Sequence, residues 1–349
     1  MRLVGILGLI LAIAVSTTAA AMPDNLSKPS YVPPQETIPV TKAGRLTLLY
    51  PEWLPGNHAP RGEIEKITGL EFTANGEKLA WDRDDVDVFA FHLTVPENVD
   101  TITAKFQFVS ATTSSHGRIV MAPAMLNLRW HQVSLYPAGY YVRQIPVEAT
   151  AIYPDGWQAA SAMRPKSRTG STIVYEKTDY DTLVDSPVFA GQFFQTHQLT
   201  KRVHLNIVAD DAKFLKPEKQ QLARHVKLVK EAEALFGSHP YDRYDFLLAL
   251  TDDMGGIGLE HHRSSENGVA PEYFTDWDAG PGRRNLLPHE MTHAWNGKYR
   301  RPAGMWTPDF RQPMRDSLLW VYEGQTQFWG YVLGARSGLY SKQDTLDAL

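Results

Sequence analysis

With 349 residues and 43% hydrophobic content, the chain is long enough for two domains with cores of their own and ordinary for a folded protein, which excludes intrinsic disorder. A net charge of −4 gives no electrostatic basis for binding nucleic acid or an anionic membrane surface. The absence of cysteine excludes disulfides and thiolate ligands, so any metal has to be held by histidine and carboxylate.

Arg2, the apolar run Leu3 to Val15 and the small residues Ala19-Ala20-Ala21 predict a signal peptide over residues 1–21, cut before Met22. The run is shorter than the roughly 20 residues a span requires, so no stable membrane insertion is expected after cleavage. Export without disulfides fits a periplasmic or secreted protein. After a proline-containing lead from Pro23 to Pro39, alternating or β-branched patterns mark strands at Arg45 to Tyr50, Val86 to Val95, Thr101 to Val109, Thr172 to Glu176 and Arg202 to Val208. Residues 22–210 therefore read as an antiparallel, sandwich-like β domain. Trp53, Trp81, Trp130 and Trp157 read as its core aromatics; an exposed coplanar set would instead suit a carbohydrate-binding protein.

Helical periodicity begins after Asp210-Asp211, which places a second, mixed α/β domain at 211–349 and makes the whole chain an α+β multidomain protein. Pro217 opens a helix with Leu222, Val226, Val229 and Phe236 on one face, and Gly237 closes it. Phe246 to Leu250 is a short apolar strand. The glycine-rich stretch Met254 to Gly258 then leads into Leu259-Glu260-His261-His262, where Gly256 and Gly258 would let a peptide backbone approach an edge strand. Arg283, Arg284, Lys298, Arg300 and Arg301 form a local basic cluster suited to carboxylates.

The segment His289-Glu290-Met291-Thr292-His293 carries the chemistry. On a helix, His289 and His293 fall on nearly one face and converge on a single cation, with Glu290 beside them as general base for a metal-activated water. Asn285 as N-cap, Pro288 in the first turn and Gly297 at the far end support a short capped helix. Arg315 to Gly334 reads as a further helix with Leu318, Leu319, Tyr322, Phe328 and Trp329 as buried residues, among which the carboxylate of Glu323 needs a cation. A purely structural zinc site has no use for Glu290, which argues for an enzyme. Gln327, one turn beyond Glu323, is a candidate partner for the histidine ligands.

Four segments, His289 to Pro302, Leu319 to Gly324, Gly255 to Glu260 and Val184 to Gly191, resemble the glycyl aminopeptidase family of gluzincin zinc metallopeptidases. The resemblance implies a thermolysin-like catalytic domain with one Zn2+ held by His289, His293 and Glu323, and with Glu290 as catalytic base. It also implies that Glu260 binds the free α-amine of peptide substrates and that small N-terminal residues, Gly or Ala, are released; beside it, Gly256 and Gly258 would line the substrate backbone, and His261 or His262 would touch substrate or the developing oxyanion. A zinc endopeptidase with the same centre is the second reading. The family's oxyanion-stabilising tyrosine has no evident counterpart: Tyr322 and Tyr331 are available, and Tyr322 is expected to point away from the metal. The helical and PDZ parts usual in the family are not in the sequence, so the catalytic domain is expected to be truncated at its C-terminal end.

Overall fold

The computed structural model describes residues 34–278 and 284–348. The expected signal peptide, the first part of the proline-containing lead and Arg283 lie outside these residues. Among the described residues no helix is long and apolar enough to cross a membrane.

The front of the chain is antiparallel β. One four-stranded sheet runs Gln35–Pro39, Thr101–Phe108, Ile67–Ala74, Glu77–Leu79, and a second runs Tyr136–Pro137, Gly44–Leu49, Ala90–Val95, Trp81–Arg83. Thr101–Phe108 shows why: every second residue, Ile102, Ala104, Phe106 and Phe108, is buried, the period-2 pattern of a strand with one face in a core. Both sheets contribute to one core, with Leu48, Phe91 and Leu93 meeting Phe72, Ile102 and Phe106. Val86 to Phe89, expected as the start of a strand, is a turn in which the Asp84 carboxylate accepts from the backbone N–H of Val86 and Asp87. Trp130 is fully buried in a second core against which Trp157 packs, and Trp81 lies edge-on to Phe72 and Phe91 of the first. These tryptophans serve packing and form no exposed sugar platform.

A third sheet, Met121–Ala122, Met125–Leu128, Val188–Gly191, Gln158–Ser161, bridges to the rear of the chain. Met125 and Phe189 pack on Val208, Leu247 and Ala249 of a five-stranded sheet. That sheet has the order Phe193–Gln198, Val203–Ala209, Tyr244–Leu250, Ser264–Val269, Ile257–Glu260. Its three central strands are parallel and both edges are antiparallel. The change of architecture therefore falls at residue 193, ahead of the expected boundary at 210. Phe193–Gln198 and Val203–Ala209 look like any other strands in sequence, and only their pairing with Tyr244–Leu250 assigns them to the rear sheet.

Helix Lys219–Phe236 crosses between parallel strands. A capping box of Glu218 and Gln221 starts it, and Gly237, at φ 67°, ends it. Its buried stripe is Gln221, His225, Leu228, Val229 and Ala232, rotated from the expected one because buried His225 is satisfied by Gln221 O and the Tyr273 hydroxyl. Helices Leu286–Thr292 and Thr326–Ser337 share the core on the same sheet through Leu287, Met291 and Leu333. Their approach is set by glycines: a Cβ on Gly330 would lie 3.1 Å from the His289 Cα, and one on Gly334 would lie 2.2 Å from the Tyr340 ring. The Tyr340 hydroxyl reaches Asn285 Oδ1 and the carbonyls of Gly330 and Tyr331. Gly334→Ala should displace that buried ring and lower unfolding free energy by about 1–3 kcal/mol, an overpacking cost measurable by urea denaturation.

Candidate metal centre

Asn285 occupies the position before the helix Leu286–Thr292, but its backbone is already helical and its side chain caps nothing, since Oδ1 accepts from Tyr340. The helix ends at Thr292 and passes into a wide turn, Ala294–Lys298, broken at Asn296 and Gly297. Gly297 therefore does not close the helix. At φ 137° it lies under the Tyr322 ring, where a Cβ would come within 2.6 Å of ring carbons. This break turns the Asn296 carbonyl back onto His293, whose Nδ1–H donates to it at 3.1 Å, with Thr326 Oγ1 at 3.3 Å. That contact fixes the tautomer and frees Nε2 for a cation. Asn296 and Thr326 thus hold the ring, in place of the expected Gln327.

The expected helix from Arg315 begins only at Trp320, with a wide turn Trp320–Gln325 that leads into Thr326–Ser337; such turns recur at functional sites. Leu318 and Phe328, expected inside, are 44% and 46% exposed. Tyr322 is buried as expected, and the rest of the buried face is Thr326, Gly330, Leu333 and Gly334, where small residues allow close contact that hydrophobicity alone does not reveal.

These two helices bring together the atoms that matter. Nε2 of His289 and Nε2 of His293 lie 3.1 Å apart, and Glu323 Oε2 lies 3.4 Å from the first and 3.5 Å from the second. Ligands about 2.0–2.1 Å from a tetrahedral ion are separated by roughly 3.3–3.4 Å, so the triangle fits one such cation. One ligand atom each from His289, Glu290 and His293 also falls within 4.8 Å of the others, as do those of His58, Glu260 and Glu323. Glu290 is thereby beside the triangle and nearly buried. The strand Ile257–Glu260 is the outermost of its sheet. Gly258 on it is directly beneath Glu290, where a Cβ would be 2.4 Å from Oε1, whereas Gly256 faces open space.

Glu260 is buried at the end of this strand and accepts a hydrogen bond from the Tyr322 hydroxyl. Arg263, the basic residue nearest in sequence, pairs with Asp242 and not with Glu260. Tyr322 faces the centre, contrary to the expectation that it points away: its ring packs on His293 and His58, both at 4.8 Å between centroids. His261 is a second correction. Its Nε2 contacts Glu266 Oε2 at 3.0 Å and its Nδ1 lies 3.3 Å from Asp185 Oδ1, so the ring is locked in the protein interior away from the substrate edge. Asp185 gathers His261, the backbone N–H and ring of His262, and buried Lys298 at 2.8 Å, while Arg129 pairs with Glu266 at 3.1 Å. The front half of the chain is thus bolted by charge to the strand bearing Glu260.

Charge sets the protonation states. Burial pushes Glu290 well above the usual carboxylate range, opposed by His293 and reinforced by Glu260 and Glu323. Although burial opposes ionisation of Glu323, hydrogen bonds from His289, His293 and His58 hold it well below that range. Against burial, Glu260 and the other carboxylates push His293 up to about 9. Glu260 is held below its ordinary value despite burial, by His293, Lys298 and Tyr322. A divalent cation in this acidic pocket would favour ionised carboxylates and displace the proton from His293.

Two domain models of one peptidase family match the chain: the peptidase M61 N-terminal domain over residues 27–192 and the M61 glycyl aminopeptidase domain over residues 283–349. Among solved structures, an aminopeptidase N family protein from Idiomarina loihiensis is similar in fold, with a TM-score of 0.74 at 21% identity over 89% of this chain and 53% of that one. The chain thus spans about half the length of that relative. No curated protein matches the sequence at a significant level. A β-rich front, a mixed five-stranded sheet and a two-helix His, Glu, His centre define a metallopeptidase architecture. The chain belongs to the M61 peptidase family, as a member with the N-terminal and glycyl aminopeptidase domains.

Two outcomes follow from the geometry. Gly258→Ala should push the Glu290 carboxylate off the metal triangle; a crystal structure of the variant with Glu290 in its original place would contradict this contact. Against burial, Asp185 and Glu266 raise the pKa of His261, so its charged form stabilises the fold fully below the unfolded value of about 6.5 and that contribution is lost as pH rises through the folded value. His261→Gln should therefore destabilise the protein most at pH 5.5, and the gap to wild type in urea unfolding should narrow at alkaline pH.

Proposed function

We propose that this chain is the catalytic part of an exported zinc aminopeptidase, periplasmic or secreted, that releases small N-terminal residues, Gly or Ala, from peptides with a free N-terminus. The observation that carries the reading is the triangle of His289, His293 and Glu323 with Glu290 beside it. Zinc, when bound there, would polarise the scissile carbonyl and acidify the attacking water. Histidine and carboxylate donors at these spacings suit it.

Glu290 takes the proton of the attacking water and delivers it to the leaving amine. Its environment suits both halves of that task, since burial raises its affinity for a proton while the cation favours its release. Glu260 binds the substrate's α-ammonium. It is a buried carboxylate at the end of an edge strand, oriented by Tyr322, within reach of the metal triangle but outside it. The free edge of Ile257–Glu260 would pair with the extended peptide. The hairpin formed by Trp53–Leu54 and Ala59–Pro60 favours exopeptidase over endopeptidase action: its tip packs onto Glu260, where a Cβ on Gly56 would sit 3.1 Å from both carboxylate oxygens. Chain continuing upstream of the scissile residue would collide with it. The preference for Gly or Ala is supported only by the resemblance to glycyl aminopeptidases.

The test compares hydrolysis of a glycine or alanine amide reporter with free and acetylated N-terminus, on protein of measured zinc content. Cleavage of the free-amine substrate alone, abolished by chelation and restored by zinc, is the expected result, and Glu290→Gln should keep the metal while losing about 10²–10⁴-fold in kcat. Equal cleavage of the acetylated substrate would make the protein an endopeptidase. One bound zinc with no turnover of either substrate would make the site structural.

A further inference from the structure

His58 comes from the front half of the chain yet reaches the metal centre. Its Nε2 is 2.9 Å from Glu323 Oε1, the oxygen turned away from the two histidine ligands, while Oε2 closes the triangle with them. Its Nδ1 is buried without a protein partner, so the proton belongs on Nε2, where the carboxylate accepts it. The side chain is 13% exposed and packs edge-on against Tyr322. The backbone is shaped to put it there. His58 is a non-glycine residue at φ 51°, in the left-handed region that side-chain-bearing residues visit uncommonly, and Gly56, at φ 78°, lies against Leu259 and Glu260. The hairpin base is held to the rear of the chain, with the N–H groups of Glu52 and Trp53 both donating to Phe310 O.

We infer that His58 is a positioning residue of the metal centre: it occupies Oε1 of Glu323 so that the carboxylate offers the cation a single oxygen, Oε2. Without this donor the carboxylate is free to rotate or to present both oxygens. Either change alters ligand geometry and weakens retention, as loss of a partner behind a ligand generally does. The β-rich half thus completes a site whose ligands all lie in the rear half. The inference rests on the metal-centre reading above, but its test does not require turnover.

The experiment measures zinc affinity of the full chain by competition with a chromophoric chelator, and the visible absorption of its cobalt(II) form, for wild type, His58→Phe and His58→Gln. His58→Phe should bind zinc about 10–100-fold more weakly and show altered cobalt band intensity. His58→Gln, which restores an N–H donor, should recover most of both. Wild-type affinity and an unchanged cobalt spectrum in His58→Phe would overturn the inference, as would His58→Gln behaving no better than His58→Phe. If His58→Phe does not fold, His58→Met takes its place, with the same two outcomes. Failure of wild type to bind zinc would overturn the reading of the centre itself.

Discussion

The closeness of two helices governs this site. Helix Thr326–Ser337 approaches Leu286–Thr292 so nearly that a single methyl on Gly330 would press on the backbone of His289. The Glu323 carboxylate, which precedes that contact by two turns of chain, arrives at 3.4 and 3.5 Å from the histidine nitrogens as a consequence. Larger side chains would move the helix axes apart by more than the few tenths of an ångström that metal ligation tolerates. The break at Asn296 and Gly297 belongs to the same device. Asn296 Nδ2 donates to Val321 O and Thr326 Oγ1 while its carbonyl orients His293, so one residue fixes a ligand and ties the helices together.

The second constraint is electrostatic. Glu260, Glu266 and Glu290 are buried and Glu323 half-buried in one neighbourhood, an arrangement that repels itself unless cations are interleaved. Arg129 and His261 neutralise Glu266, and Lys298 and His262 meet Asp185. Those pairs are complete within the protein. Glu290 is different: burial, reinforced by Glu260 and Glu323 and only partly opposed by His293, leaves its ionised form unfavourable. A divalent ion at the triangle would relieve that repulsion, so the same crowding that makes the site acidic would increase its affinity for metal.

What was legible in sequence was what is local. His289, Glu290 and His293 are placed by helical periodicity alone, and Glu323 by being a carboxylate in an otherwise apolar segment. The edge strand with Gly258 was visible as glycine spacing, although Gly258 turns out to make room for Glu290 as well as for any incoming backbone. The roles of Tyr322, His261 and His58 depend on residues 62, 76 and 265 positions away, and no periodicity encodes such pairings. The buried face of the Glu323 helix was misread for a related reason. Its glycines and threonine make it the tightly packed side, while the larger Leu318 and Phe328 are exposed. The change of sheet at residue 193 is not legible in sequence because strands carry no mark of the sheet they join.

The β-rich half is therefore more than a carrier for the rear half. Asp185, on the segment Val184 to Gly191, meets three basic side chains of the rear half, two of them directly after the strand of Glu260 and one just beyond the helix of His289 and His293. Its carboxyl is kept well below the ordinary range, against burial, by Lys298 and the two histidines. Removing one partner from such a buried cluster costs more than the pairing contributes over a well-packed apolar contact, because the remaining charges stay inside without compensation. The junction is accordingly specific in register. It can be satisfied in one relative placement of the halves, and that placement is the one in which Gly56 roofs Glu260 and the His58 side chain reaches Glu323. The ion cluster sets the register of the halves, and the hairpin converts that register into the shape of the cleft.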